Sequence, residues 1–345
     1  MFSADRWKVS AVWLPKSVNV RSCCMNFLIT GGAGFIGGHL TEKLLSLGHN
    51  VTVIDNYSTG SPRNLAAVRS NAALNVVEDD ILTCPELERL IGNADVIYHL
   101  AAAVGVELVV HDPVRTIRTN VEGSARVLEL AAKYHKRIIL ASTSEVYGKS
   151  SQPEFNEKDD LLIGCPTRSR WSYACSKLLD EFYLMAYHRN MALPGTVVRF
   201  FNTVGPRQTG QYGMVIPRFV QAALSGQKLK VYGTGEQSRC FCHVFDTVRA
   251  LVQLADCPDS IGNIYNIGSS QVVSIRELAE RIVAQLGSSS VIEYIPYEQA
   301  YEHGFEDMMH RKPDTESIRS LINWQPEHNL DDIIRDVAAE FKRNM

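Results

Sequence analysis

Short apolar runs alternate with apolar repeats of helical spacing along the first 200 residues of the chain. The run at 26–29 predicts a buried strand, and leucines 40, 44, 45 and 47 recur after it at helical spacing. Five later runs predict further strands, at 51–54, 75–78, 95–100, 137–141 and 196–201.

Two longer apolar repeats lie between the later strands. One begins at Asn120 and continues through Val127 and Ala131, and the other follows Ser172 through Phe182. Strands that alternate with helices favour right-handed crossovers and a parallel sheet. The pattern therefore predicts an α/β fold with a doubly wound parallel sheet.

A glycine-rich turn joins the first strand to the first helix, with the sequence TGGAGFIG at 30–37. Gly31 permits a sharp turn, Gly34 lets the backbone approach a pyrophosphate, and Gly37 lets the helix pack closely on the strand. The helix N-terminus then offers unpaired N–H groups to the anion. Asp55 ends the second strand, where a carboxylate accepts hydrogen bonds from a ribose diol and repels a 2′-phosphate. These features indicate a dinucleotide site that takes NAD rather than NADP, whereas the alternative is a glycine turn without a ligand.

Length and charge limit the number of domains and the kinds of partner. The chain has 345 residues, a length that suits one large domain or two closely associated ones. Its net charge of −3 gives no support for nucleic-acid or membrane binding. No apolar stretch approaches the ~18 residues of a membrane span. The eight cysteines form neither a CxxC pair nor a zinc-type cluster, so we expect reduced thiols, a cytoplasmic location and no metal.

Polar residues with catalytic potential follow the fifth strand and open the next helix. Tyr173 and Lys177 are four residues apart, so they share a helical face. An ammonium group near a phenol lowers the pKa of that phenol, and the resulting base takes a proton from a sugar hydroxyl near neutral pH. The alternative is a structural pair, but its position after a dinucleotide fold and Thr143 favours catalysis.

Periodicity becomes irregular after Asn202. We therefore expect an NAD-binding domain over 25–202, a smaller substrate-binding domain over 203–345 that is partly interleaved with it, and a disordered extension or mis-assigned start over 1–24. Four arginines of the second part are candidate clamps for a diphosphate or a carboxylate, with a surface position as the alternative for each. They are Arg207, Arg218, Arg239 and Arg311.

The glycine turn, Thr143 and the Tyr173-x-x-x-Lys177 pair together resemble the extended short-chain dehydrogenases that act on nucleotide sugars. The resemblance runs from Met25 to the C-terminus and implies a Rossmann domain with a small C-terminal sugar-nucleotide domain, a homodimer formed through a helix bundle, tightly held NAD and oxidation of the sugar at carbon 4. The implied cofactor contacts are Gly31, Gly34, Phe35, Ile36, Gly37, Asp55, Asn56, Asp80, Ile81, Leu100, Ala101, Ala102, Tyr173 and Lys177.

A narrower resemblance is to UDP-glucuronate decarboxylases. Thr143-Ser144-Glu145 is similar to their Thr-Ser-Glu motif. The segment 170–173 is similar to the corresponding segment of the lipid A-modifying enzyme, and Arg311 is similar to the substrate-binding arginine of these decarboxylases. Asn202 and Arg239 match positions that hold UDP in the wider family. Sugar dehydratases carry aspartate where this chain has Ser144, which argues against water elimination, and galactose epimerases carry small residues where Glu145 stands.

The resemblance implies that Tyr173 takes the proton of the carbon 4 hydroxyl while NAD takes the hydride. The resulting β-keto acid then loses carbon dioxide to give UDP-xylose or a 4-keto pentose, with Thr143 on the carbon 4 oxygen. The residues that would contact the carboxylate and return the proton are Ser144, Glu145 and Arg311. A UDP-glucuronate or UDP-glucose 4-epimerase begins identically and is the main alternative. A 4,6-dehydratase and a non-catalytic NAD-sensing regulator are the remaining ones.

Overall fold

Seven parallel strands form the central sheet of the computed structural model, which describes residues 24–104, 112–210, 214–296 and 311–344. Most of the predicted extension over 1–24 lies outside the described residues. The sheet strands are β1 Asn26–Thr30, β2 Asn50–Asp55, β3 Leu74–Glu78, β4 Val96–His99, β5 Arg137–Thr143, β6 Gly195–Phe200 and β11 Ile264–Ile267.

The order of hydrogen-bonded neighbours across this sheet is β11-β6-β5-β4-β1-β2-β3. The chain therefore moves outward in one direction from β1 to β3, and in the other from β4 to β11. Ligands of such sheets bind at the carboxyl ends of the strands where the direction reverses, which here is the gap between β1 and β4. The predicted doubly wound parallel sheet is confirmed.

Helices cover both faces of the sheet because successive strand residues point to opposite sides. The helices among the described residues are α1 Phe35–Ser46, α2 Leu87–Asn93, α3 Pro113–Lys133, α4 Trp171–Met191, α5 Val215–Leu224, α6 Val244–Ala255, α7 Ile275–Leu286, α8 Glu316–Ile322 and α9 Leu330–Asn344. Phe27 and Ile29 pack with α1 and α6, whereas Leu28 packs with α2, α3 and α4. None of these helices is long and apolar enough to cross a bilayer.

A separate apolar cluster lies in the C-terminal part, where α5, α7 and α9 pack together. Short strands connect these helices in two-stranded pairs. They are β7 Thr203–Val204, β8 Leu229–Tyr232, β9 Ser238–Cys240, β10 Cys242–His243, β12 Val272–Ser274 and β13 Ile292–Ile295. Residues of β8 and β9 line the same cavity as the ends of β2 and β5.

Two elements differ from the sequence prediction. Helix α3 begins at Pro113 and not at Asn120, because the Asp112 side chain accepts a hydrogen bond from the Arg115 N–H (3.1 Å) and proline suits the first helical turn. Strand β11 lies beyond residue 202 yet pairs in parallel with β6. The domain boundary at 202 stays a prediction, but the central sheet takes its last strand from the far side of it.

Candidate active site

A cavity of about 570 Å³ opens at the carboxyl edge of the sheet. Its wall includes the glycine turn, the end of β2, the end of β5, the first turns of α4 and the arginines of the C-terminal part. Every site residue predicted from the sequence lines this cavity. One continuous site thus collects side chains that are spread over most of the chain.

The glycine turn leaves no room for side chains at its ends. Gly31 has φ +71°, and a Cβ there would lie 2.8 Å from the Ala101 backbone. A Cβ on Gly37 would collide with the Gly31 carbonyl oxygen, so this glycine packs the helix onto the turn itself. Gly34 is the N-cap of α1, and the free N–H groups of this helix end face the cavity. The result is a backbone cradle of a shape and polarity that suits a pyrophosphate.

Asp55 is fixed at the carboxyl end of β2. Its two carboxylate oxygens accept hydrogen bonds from the N–H groups of Ala33 (2.9 Å) and Tyr57 (2.8 Å). Burial raises the pKa of Asp55, and these two N–H groups oppose the rise. Beside it, the Asn56 side chain donates to Asp80 at 2.8 Å. These groups form an acceptor-rich end of the cavity that suits a ribose diol.

Tyr173 and Lys177 lie on one face of α4, as predicted, but their electrostatics differ from the prediction. Lys177 Nζ donates to Asp180 Oδ2 at 2.7 Å, one turn further along the helix. The pKa of Tyr173 is raised, first by burial and then by the charge of Glu145, although a hydrogen bond with Thr143 opposes the rise. A raised pKa is the opposite of the predicted net effect, because burial and the charge of Glu145 outweigh any influence of the Lys177 ammonium.

Glu145 lies just beyond the end of the fifth strand. Strand β5 ends at Thr143, and a 3-10 helix over Ser144–Tyr147 follows. The Glu145 N–H donates to Thr143 Oγ1 at 3.2 Å, which closes this turn. Ser144 is buried in the same turn and also lines the cavity.

Two arginines hold the Glu145 carboxylate. Arg311 pairs with Oε1, and Arg170 lies 3.3 Å from Oε2. Burial would raise the pKa of Glu145, but the charges of Arg311, Arg170 and Arg239 outweigh it and the pKa lies below its usual range. Glu145 is therefore an ionised carboxylate within a positively charged group of side chains.

The remaining arginine candidates divide into two groups. Arg218 packs on the Tyr232 ring and donates to its hydroxyl (3.0 Å), and Arg239 is buried on β9, so both hold fixed positions in the wall. Asn202 also lines the cavity, and its amide donates to the Cys240 carbonyl at 3.0 Å.

Arg207 has a different environment. Its guanidinium donates to both carboxylate oxygens of Glu42 (2.7 and 2.9 Å) and to the Asn64 carbonyl (2.7 Å). It therefore ties the C-terminal part to α1, while it also lines the cavity, and its role as a substrate clamp stays a prediction.

Sequence reasoning missed three positions that shape the site. Asn120 bonds the Ala103 backbone through both amide atoms and donates to Ser176, so it joins the end of β4 to α4. Asp180 pairs with Lys177, and Arg170 pairs with Glu145. Two features of the sequence point to these positions. Asn120 is an amide within an apolar helix face, and Arg170 and Asp180 are charged residues three positions before Tyr173 and three after Lys177.

The comparisons with known proteins agree with this geometry. A model of the NAD dependent epimerase/dehydratase family matches residues 27–268. The chain belongs to that family. Its relatives include a UDP-N-acetyl-alpha-D-glucosaminuronate decarboxylase of Bacillus cytotoxicus, 41% identical over 91% of this chain and 97% of that protein. UDP-glucuronic acid decarboxylase 1 of Xenopus tropicalis is 35% identical over 92% of this chain and 72% of its own.

Among solved structures, a UDP-glucuronic acid 4-epimerase of Bacillus cereus in complex with UDP-glucuronic acid and NAD has a TM-score of 0.84 to this protein. The two sequences are 26% identical, and the match covers 93% of this chain and all of the other. The family assignment and the Rossmann fold expected from the sequence are thereby confirmed.

Proposed function

We propose that this family member is an NAD-dependent decarboxylase of a UDP-linked uronic acid. The observation that carries the proposal is the Glu145–Arg311 pair, which lies in the same cavity as Tyr173 and Thr143. A buried arginine beside the proton-transfer residues suits a sugar that carries a carboxylate. The names of the decarboxylase relatives support the same reaction class.

The cradle fits NAD. Gly31 and Gly37 keep the turn in the shape that would hold the pyrophosphate, since a Cβ at either would collide with the backbone of the turn or of Ala101. Asp55 would accept hydrogen bonds from the hydroxyls of the adenine ribose. Asp80 and Ile81 line the same end of the cavity, where the adenine base would lie. When bound, NAD supplies a hydride acceptor for carbon 4 of the sugar and later returns the hydride.

The side chains of the chain itself account for the proton transfers. Tyr173 takes the proton from the carbon 4 hydroxyl, and Thr143, which hydrogen-bonds the phenol, also holds the carbon 4 oxygen. A ketone at carbon 4 is β to the carboxylate on carbon 5, so the carbon–carbon bond breaks and its electrons form an enolate. Carbon 5 then takes one proton, so UDP-uronate and one proton become UDP-pentose and carbon dioxide. Ser144 and Glu145 are the residues placed to guide that proton.

A UDP-uronate 4-epimerase is the second candidate, and the structural similarity to the Bacillus cereus enzyme favours it. The two reactions share the first oxidation and differ in whether the carboxylate leaves. Purified protein with NAD and UDP-glucuronate, or UDP-N-acetylglucosaminuronate, should release carbon dioxide and form the UDP-pentose. A 4-epimeric uronate as the only product would overturn the decarboxylase proposal and establish the epimerase.

We also propose a homodimer. Apolar side chains remain exposed on α3 and α4, which pack side by side. Leu179, Phe182 and Tyr183 share one face of α4, and Val114 and Ile117 extend the patch along α3. Exposed apolar side chains on two neighbouring helices support a second copy of the chain as their partner, in line with the helix-bundle dimer implied by the family resemblance. The buried free thiols of Cys84, Cys240 and Cys242 support a cytoplasmic location.

A further inference from the structure

A line of three buried polar side chains runs from the glycine turn toward α4. Thr30 and His99 end the neighbouring strands β1 and β4 and pair in register, at the point where the direction of the sheet reverses. Thr30 Oγ1 lies 2.7 Å from His99 Nδ1, and His99 Nε2 lies 2.9 Å from Ser124 Oγ on α3. All three side chains are buried, and α3 packs against α4. We call Thr30, His99 and Ser124 the polar line.

The polar line ends beside Asp180. Lys177 Nζ donates to Asp180 Oδ2 at 2.7 Å, and both side chains are buried. The other carboxylate oxygen, Oδ1, is also buried and accepts no hydrogen bond of normal length from the described residues. Burial raises the pKa of Asp180, whereas Lys177 and the Ser124 hydroxyl oppose the rise. Since a hydroxyl turns to suit its acceptor, Ser124 is the donor that serves Oδ1.

The hydrogen bonds of the polar line all have the same direction. An ionised Asp180 only accepts hydrogen bonds, so the Ser124 hydroxyl donates toward it and accepts from the Nε2–H of His99. Burial lowers the pKa of His99 to about 3, so the ring is neutral and has a single N–H group. Its Nδ1 then accepts from the Thr30 hydroxyl, which itself accepts from the Ala101 N–H at 3.3 Å. Every donor therefore points toward Asp180, and this direction assigns the tautomer of His99.

The other end of the polar line supports the cofactor cradle. Thr30 directly precedes Gly31, and a Cβ on Gly31 would lie 2.8 Å from the Ala101 backbone. Both Gly31 and Ala101 line the cavity, and the hydrogen bond between Ala101 and Thr30 fixes their spacing. Because the line ends in a backbone N–H, which does not titrate near neutral pH, it holds side chains in place and does not conduct a proton.

We propose that Asp180 is a positioning residue, which holds the Lys177 ammonium at the cavity and is itself held by the polar line from the cofactor cradle. This inference rests on the proposed function, since it takes NAD as the ligand of the cradle and Tyr173 as the proton acceptor. One N–H of Lys177 Nζ donates to Asp180, and in the described part of the chain the other two remain for groups in the cavity. Cofactor binding and the position of the lysine are then coupled, because a shift at one end of the line changes the hydrogen bonds at the other.

Cofactor affinity provides a test that does not depend on turnover. Ser124→Ala breaks the polar line, so calorimetric titration with NAD should show binding at least ~5-fold weaker than that of the wild type, the lower end for coupling between two sites. Ser260→Ala is the matched control, because it removes another buried hydroxyl, which bonds Arg137 at the start of β5, the opposite edge of the sheet. It should leave NAD affinity unchanged.

The pH dependence of kcat/KM with UDP-glucuronate tests Asp180 itself. Burial raises the pKa of Tyr173 most, and the charges of Glu145 and Asp180 add to the rise, whereas Thr143 and Arg311 oppose it. Asp180→Asn removes a negative charge and lowers this pKa, so the acidic limb should move to lower pH. The plateau rate should fall at least ~10-fold, because the lysine loses its fixed position.

Glu181→Gln is the matched control for Asp180→Asn. Glu181 is the next residue on α4, is also buried and pairs with Arg199 at 2.7 Å. Its loss should lower thermal stability, as the loss of Asp180 does, and leave the acidic limb in place.

Ser124→Ala covers the case in which Asp180→Asn does not fold. Unchanged NAD affinity in folded Ser124→Ala, an equal loss in Ser260→Ala, or an acidic limb that Glu181→Gln moves as far as Asp180→Asn would each overturn the inference. A wild type that binds NAD in a Ser124-dependent way but forms no product from a UDP-uronate would sustain the inference and contradict the proposed function. Decarboxylation at the wild-type rate in Ser124→Ala, with unchanged NAD affinity, would do the reverse. A wild type that does not bind NAD would overturn both.

Discussion

Lys177 and Asp180 form an ion pair of 2.7 Å whose side chains are 2% and 0% exposed. Such a pair is costly to bury, and each partner is tolerated only because of the other. Burial raises the pKa of Asp180, while Lys177 opposes the rise, and the Ser124 hydroxyl contributes in the same direction as Lys177. The pair places the counter-charge of the lysine on the same helix, one turn beyond it.

Breaking this pair should destabilise the fold. Asp180→Asn leaves a buried ammonium without its counter-charge, so we expect the free energy of unfolding to fall by ~3 kcal/mol or more. The double variant Lys177→Met, Asp180→Leu should recover most of that loss and remain inactive. Urea unfolding followed by circular dichroism measures both. A loss below ~1 kcal/mol, the range of exposed pairs, would show that water screens the site.

The Tyr173→Phe variant should show whether Tyr173 transfers a proton or serves only in packing. The ring is retained, so thermal stability and NAD binding should be close to wild type. Loss of the phenol removes the proton acceptor, and turnover should fall by at least ~10²-fold. Near-normal turnover in this variant would assign Tyr173 to packing.

Glu145→Gln should impair carbon dioxide release far more than UDP-sugar binding. It should also move the pH profile, because the Glu145 charge raises the pKa of Tyr173. A base works only when deprotonated, so the rate falls as pH drops through its pKa. Removal of the negative charge lowers that pKa, and the acidic limb of kcat/KM should move to lower pH. A limb that stays in place or moves upward would contradict this assignment.

Asp55 should exclude NADP. Its carboxylate is fixed by two backbone N–H groups and cannot turn away from a 2′-phosphate. Titration calorimetry should show clear preference for NAD, and Asp55→Asn should reduce that preference by removing the repulsive charge. Equal affinities of the wild type for NAD and NADP would contradict the role of Asp55.

Phe182 should be central to the dimer. It is 61% exposed on the apolar face of α4, and a glutamate there would place a charge in the interface. Phe182→Glu should be monomeric by light scattering while it retains its fold. Leu162→Glu, which alters a 59% exposed leucine in a loop, is the control and should leave the mass unchanged. A wild type that is already monomeric would overturn the dimer proposal.

The cofactor half of the site was predictable because its determinants are local. The first strand, the glycine turn, the helix and Asp55 lie within one short stretch of chain, and each glycine is required by a backbone conformation or contact that the motif itself creates. The start of α3 was also predictable in principle, since Asp112-Pro113 is a helix-start signal. The apolar repeat alone predicts a start at Asn120, because its regular spacing begins there.

The electrostatics around the candidate catalytic residues depended on contacts that are distant in sequence or invisible to periodicity. Arg311 reaches Glu145 across 166 positions, and β11 completes the sheet by pairing with a strand almost seventy residues before it, Ile264 beside Val197. The sequence by itself determined the fold class, the cofactor cradle and the Tyr173–Lys177 pair, because backbone sterics and helical spacing act over a few residues. Only the tertiary structure decided that the Lys177–Asp180 pair is buried and that Arg311 reaches Glu145, because burial and long-range contacts depend on how distant segments of the chain pack.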